Sequence, residues 1–235
     1  MLILLRSLRK KLLENRRFSN YILYALGEII LVVLGILIAL QVNNWNDARL
    51  QRQKNRQVYA SIQRQIQTDR QQLLEVIQYN ALRHRAYERG NTIIGARDTS
   101  LTDSLALYAM LLGTYSDFQR EGSVYASLAA GGQLEQLNNP EITRALQDLD
   151  MTYTFANNLE SMHWDMIVNE LSTPLRSTIN YSTQRAVRPE LLYGLEIQNF
   201  FVESIILTGY KEGVYQKALT EIDSLLARID LELDP

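Results

Sequence analysis

The chain has 235 residues, 46% of them hydrophobic and 21% charged, which excludes wholesale disorder and fits one domain or a small domain with an appendage. Eleven glycines and four prolines are too few for a collagen-like or turn-rich all-β chain, and the lack of cysteine excludes disulfides, thiolate metal sites and a cysteine nucleophile. The net charge of -2 conceals a segregation: residues 1–20 balance to +5, residues 49–89 to +6 and residues 90–235 to -11, as expected when segments face different surroundings.

Residues 1–19 form a basic flank with Arg6, Arg9, Lys10, Lys11, Arg16 and Arg17. Its stretch LILLRSLRKKLL reads equally as an amphipathic segment on anionic headgroups or as a topogenic flank without fixed structure. A membrane helix follows over 20–42. Tyr21 to Val42, YILYALGEIILVVLGILIALQV, holds Glu28 and Gln41 as its only strongly polar members. At about 1.5 Å per residue it reaches roughly 33 Å, enough for a hydrocarbon core of about 30 Å. Tyr21 at one end and Trp45 just past the other stand where interfacial aromatic anchors belong. The run is longer than a signal-peptide core and its exit ALQVNNW has no small-x-small cleavage site, so an uncleaved signal anchor is expected. The flank predicts a cytoplasmic N-terminus and a C-terminal domain on the other side of an inner membrane.

Glu28 is the most informative residue of the span. A charged side chain at the centre of a bilayer costs about 2.5–3.5 kcal/mol on insertion scales, and less toward the interface. At about 100° per residue, Tyr24, Glu28, Gly35 and Ala39 share one stripe, in which Gly35 and Ala39 form a small-xxx-small pair. That stripe is expected to be a helix–helix contact face, with bulky Ile, Leu and Val opposite it for lipid.

The run RKKLLENRRFSNYILYALGEIILVVLGILIALQVNNWND carries a resemblance. Its tyrosines, Ala25-x-Gly27-Glu28-Ile29, and the ending Gly35-Ile36-x-Ile38-Ala39-Leu40-Gln41-x-Asn43-Asn44-Trp45-Asn46 resemble the N-terminus of an uncharacterised family of small single-pass membrane proteins from Bacteroidota and their relatives, known as a domain of unknown function. Ser123–Ile142 resembles a second, looser pattern of that family, although Ala129 and Gly131 stand where relatives often carry serines. The resemblance implies an envelope protein with an extracytoplasmic helical domain, and it supplies no activity, ligand or catalytic residue.

Beyond the span the expected fold class is all-α. Asn46 to Glu88 lacks proline and glycine, and apolar residues recur there at three, four or seven. This spacing predicts a long stalk helix over 43–90, continuous with the span and stopping at Gly90-Asn91, with Arg52, Arg56, Arg64 and Arg70 on its basic surface. An extracytoplasmic antiparallel bundle is expected over 91–235. Its predicted helices start at Thr99–Asp103, ending at Gly113; at Ser123, ending near Gly131; and at Asn139-Pro140, running to about Leu171. Pro174 and Pro189 bracket an expected loop, and two last helices, Leu191–Leu207 and Tyr210–Leu233, divide near Gly209. No stretch alternates strictly enough to ask for a sheet.

Chemistry is sparse. Glu160 and His163 make an i, i+3 pair of the kind di-iron bundles use twice, but no second pair exists, so a polar helix face is expected and no metal or cofactor. His84 and Glu88 form an ordinary one-turn pair. Nucleophile elbows, phosphate loops and dinucleotide glycine patterns are absent, and the Arg-rich stretch after a membrane span is not expected to meet nucleic acid. Three readings remain. The favoured one is a non-enzymatic envelope scaffold or accessory subunit in contact with lipid, a homo-oligomer or part of a larger membrane complex. The others are an ion- or proton-coupled partner using Glu28, and a helical-bundle ligand sensor.

Overall fold

The computed structural model describes residues 16–118, 122–134, 137 and 139–234, with side chains of the first helix given for Ile22 and from Ala25 onward. Residues 1–15 of the basic flank and the side chains of Tyr21 and Tyr24 lie outside that description. The first helix, α1, runs Arg16–Ala96. It contributes to two compact units, Met1–Lys54 and Asn55–Pro235. In the first unit the apolar segment of α1 is long and apolar enough to cross a membrane, and none of it is buried.

In the second unit α1 ends where Arg97 takes a left-handed backbone conformation (φ 51°). Asp98 then accepts Ser100 N–H at 3.0 Å and caps a 3-10 turn, Thr99–Leu101, ahead of α2, Thr102–Leu111. Ser123 caps α3, Val124–Ala130, by accepting Ala126 N–H at 2.9 Å. Asn139 caps α4, Pro140–Asp165, whose proline stands at the first turn, where no N–H is required. A π-helical turn, Met166–Leu171, leads into α5, Ser172–Thr178. A two-residue antiparallel hairpin follows, β1 Ile179–Asn180 with β2 Arg185–Ala186, in the register Ile179↔Ala186. Then come α6, Pro189–Leu192, and α7, Leu195–Leu233.

Heptad-like stripes explain why the long helices associate. On α7 the buried residues include Ile197, Phe201, Ser204, Thr208, Lys211, Tyr215, Ala218, Ile222, Leu225 and Ile229, in alternating steps of three and four, with Phe200 buried beside them. On α4 they include Ile142, Leu146, Leu149, Tyr153, Ala156, Glu160 and His163. The stripes bury two apolar clusters. One joins Tyr59, Ile62, Ile66 and Leu73 of α1 to Leu146 and Leu149 of α4 and Ile222 and Leu225 of α7. The other joins Tyr87 and Ile94 of α1 to Leu105, Ile167, Leu171, Leu192 and Phe201. Across α1 and α7, Arg56 reaches the Leu233 carbonyl, Gln63 bonds Asp230 at 2.5 Å, Arg70 bonds Asp223 at 2.7 Å and Asn80 bonds the Thr208 carbonyl at 2.9 Å. Numbers therefore rise along one helix as they fall along the other.

Four features depart from the sequence reading. Helix α1 passes through Gly90 to Ala96, because Gly90 is a notch: a Cβ there would stand 2.3 and 2.4 Å from the Phe201 ring. Helix α7 passes through Gly209 unbroken. A mid-helix glycine costs only about 1 kcal/mol, less than the apolar burial on either side can supply. Pro174 sits inside α5 rather than in a loop, after a π-helical turn of the kind that accompanies helix irregularities. Between the prolines lies the small hairpin, with Asn180 Oδ1 accepting from the N–H groups of Ser182 and Thr183 across its turn.

Gly90→Ala should destabilise the full-length protein by about 1–3 kcal/mol through overpacking, and Phe201→Leu in the same chain should recover part of the loss. Gly209→Ala, whose Cβ would meet only the His84 ring at 4.0 Å, should be neutral or stabilising by up to about 1 kcal/mol. Thermal unfolding of the detergent-solubilised chain measures both.

Candidate functional site

Between the two apolar clusters the stripes turn polar. Asn80 on α1, Ser116 after α2, Glu160 and His163 on α4, and Ser204, Thr208 and Lys211 on α7 are all buried. The i, i+3 spacing puts Glu160 and His163 on the inward face of α4, and Thr208, Lys211 and Tyr215 share one face of α7. The sequence reading of a polar helix face at Glu160 and His163 is thereby corrected: Glu160 is 3% exposed and His163 0%. A polar pair on a heptad stripe can go inside when it finds partners, and these two do.

Lys211 Nζ donates to the Ser116 carbonyl at 3.1 Å and lies 3.1 Å from His163 Nδ1. Its ammonium also stands 5.5 Å from the centroid of the Tyr115 ring. Glu160 Oε1 accepts Phe118 N–H at 2.8 Å and the Tyr215 hydroxyl. Ser116 Oγ donates to Asn80 Oδ1 at 3.0 Å, and the Asn80 amide donates to the Thr208 carbonyl at 2.9 Å. One network thus ties α1, the 114–118 segment, α4 and α7.

Burial governs the protonation states. It pushes Lys211 down to about 8, a fall that Glu160 and Asp117 oppose. His163 is driven down to about 3, first by burial and then by the neighbouring Lys211 charge. A neutral His163 accepts at Nδ1 from the ammonium and carries its own proton on Nε2, which is buried without a hydrogen-bond partner. Glu160 is raised by burial, against the pull of Tyr215 and the Phe118 N–H. Tyr215 is raised by burial and then by the Glu160 charge.

Beside the network opens a cavity of about 450 Å³ whose lining includes Tyr115, Asp117, Phe118, Asn157, Glu160 and Trp164. Tyr115 packs its ring 5.6 Å from Trp164 and edge-on, 5.9 Å, to His163, so it stands between the cavity and the buried Lys211–His163 pair. Among the described residues no group of three or more His, Asp or Glu is placed to hold a metal ion.

The residues singled out in the span and along the stalk are not brought together there. In the first unit Glu28 and Ala39 are exposed, a Cβ on Gly35 would meet nothing within 4 Å, and Trp45 is exposed. Arg52 donates to the Ala48 carbonyl of its own helix at 3.3 Å. In the second unit Arg56 reaches Leu233, Arg64 is exposed, and Arg70 pairs with Asp223 on the surface, where solvent screens the ion pair. His84 Nε2 stands 3.6 Å from Glu88, while its Nδ1 lies 2.8 Å from Thr208 Oγ1. Lys211, Tyr215, Ser116 and Tyr115 escaped the sequence reading. Only the heptad register of α7 could have flagged Lys211, as a cation on a buried stripe.

The family described as "Family of unknown function (DUF6090)" matches residues 28–188, a stretch that includes Glu28, Asn80, Ser116, Glu160 and His163. No curated protein and no solved structure matches the chain.

The low value of His163 has a pH signature. The unfolded chain takes up a proton near 6.5 and the folded chain only near 3, so His163 withdraws stability as pH falls through that window. The loss between pH 7 and 5 should be about 2 kcal/mol. Glu160, raised in the fold, works in the opposite direction as pH approaches 4.5 from above. The difference between wild type and His163→Asn isolates the histidine: unfolding of the two chains at pH 7 and pH 5 should show the wild type losing that much more.

Proposed function

Since the chain belongs to the DUF6090 family, whose function is unknown, we propose from its own physical features that it is a non-enzymatic, single-pass membrane protein acting as a scaffold or accessory subunit of an inner-membrane complex. The observation that carries this is the first unit. Ile29, Leu31, Val32, Leu34, Ile36, Leu37, Ile38 and Leu40 are all more than half exposed or close to it, on a single helix with no covering element among the described residues. Water does not tolerate so continuous an apolar surface, and lipid or another apolar helix relieves it.

In this reading residues 1–19 are cytoplasmic and the C-terminal domain, an antiparallel helical bundle, is periplasmic. The +5 balance of residues 1–20 supports that orientation, and the opposed numbering of the α1–α7 contacts supports the antiparallel bundle. Glu28, Gly35 and Ala39, with Tyr24, are the proposed contact face for another helix, either of a second copy or of a larger complex. Glu28 there finds a hydrogen-bond partner across the interface rather than titrating as part of an ion-coupled cycle.

Protease added to spheroplasts should remove the C-terminal domain; digestion from the cytoplasmic side alone would invert the topology. Single cysteines placed along 31–42 should crosslink with a three-to-four-residue period centred on Gly35 and Ala39, and Gly35→Leu should abolish the pattern while Leu37→Ala leaves it. Glu28→Gln should assemble and function as wild type. Assembly without function would instead favour the ion-coupled role.

A further inference from the structure

Between α4 and α7 the second unit leaves an open groove of about 520 Å³, whose lining includes Met151 and Phe155 of α4 and Gly213 of α7. At about 100° per residue, Met162 continues the α4 side of this face, and Ile206 and Tyr210 continue the α7 side. Met151, Phe155, Met162, Ile206 and Tyr210 are each more than half exposed. The charged side chains of the lining gather at one end. There Lys217 donates to Thr152 Oγ1 at 2.9 Å and lies 3.3 Å from Glu221, with Asp148 in the same lining. Gly213 is a notch open to the outside, since a Cβ built there would meet nothing within 4 Å.

An apolar face of this size marks an interaction surface. At just over half exposure the five side chains present on the order of 100 Å² each, roughly 500 Å² together, near the upper range for a monomer's largest apolar patch and more than half of the about 800 Å² that one partner brings to a standard interface. Methionine and aromatic side chains with little charge are also the composition of an interface centre. Shape selects the occupant. Phe155 is a projecting ring and Gly213 an open notch, and both line the groove at one level. A two-fold axis running along the helices lays α4 of one copy on α7 of the other, level with level, so each Phe155 enters the other copy's notch at Gly213. The same axis turns Asp148 of each copy toward Lys217 of the other. We propose that this groove is a docking face for a second copy of the chain, packed through α4 and α7 in that two-fold arrangement. The face lies wholly within the second unit and does not depend on the membrane reading or on the stripe of Gly35 and Ala39.

The chain has no native cysteine, so paired substitutions read the contact. Full-length Met162→Cys and Tyr210→Cys chains, carrying tags of different size, are co-expressed and oxidised in the membrane. Each chain holds one cysteine, so a covalent product of the two tags joins separate copies. That product is the expected result, and replacing Tyr210→Cys by Gln216→Cys, on another side of α7, should remove it. Gly213→Leu introduced into both chains should lower the product at least tenfold by filling the notch, although it leaves the single copy room, as thermal unfolding of the variant checks. Phe155→Ser, which removes the ring, should lower it likewise and carries the test if Gly213→Leu does not fold. No product of the two tags, an equal product with Gln216→Cys, an unchanged product in both groove variants, or a product of Met162→Cys with a different protein instead overturns the proposal. The cysteines along 31–42 read the span separately, so their pattern without this product overturns the groove alone.

Discussion

An ammonium inside a helical domain has to keep its donors occupied without water, and the second unit is arranged around that requirement. Lys211 takes the Ser116 carbonyl, His163 Nδ1 and the face of Tyr115 as its surroundings. The first of these needs the 114–118 segment to cross the helices at one level. The second needs His163 neutral and turned inward, which its fall to about 3 secures at physiological pH. A compensating carboxylate is also present, since Glu160 acts on Lys211 electrostatically and is fixed by Tyr215 and the Phe118 N–H. Removing one member would leave another buried and unsatisfied, at about 1–3 kcal/mol for a neutral group and more for a charged one. An all-apolar stripe would gain stability by burial alone but would allow neighbouring registers. A single polar layer admits one alignment of α1, α4 and α7.

The first unit presents the opposite condition. There the helix has apolar side chains and no covering surface among the described residues, and the only carboxylate of the span, Glu28, is exposed with them. Physical chemistry asks for a nonaqueous environment around such a helix. The proposed membrane reading and the proposed contact-face reading are two layers of one answer: in the first, lipid would cover the bulky side chains, and in the second, another helix would cover the side with Gly35 and Ala39.

Much of this was legible in the sequence. The apolar run of 21–42 and the cap at Asn139-Pro140 are local signals, decided by composition and by the backbone preferences of a few residues. The buried site was only half legible. Spacing identified Glu160 and His163 as a pair, yet the polar character of both suggested an outward face. Their burial depends on Lys211, Ser116 and Tyr215, which stand 44 to 55 residues away in sequence. Gly90 and Gly209 misled for a related reason: locally each signals a helix end, but Phe201 and His84 approach them from a distant helix. Long-range partners are what a one-dimensional reading lacks.

The central claim is that lipid surrounds the apolar part of α1, and the depth of Trp45 tests it most directly. A full-length Trp164→Phe chain, in which Trp45 is the sole tryptophan, is reconstituted into vesicles whose lipids carry bromine either near the headgroup or deep in the acyl chain. The account predicts strong quenching of Trp45 by the shallow bromines and weaker quenching by the deep ones, as for an interfacial aromatic anchor. Emission unaffected by either lipid would contradict it.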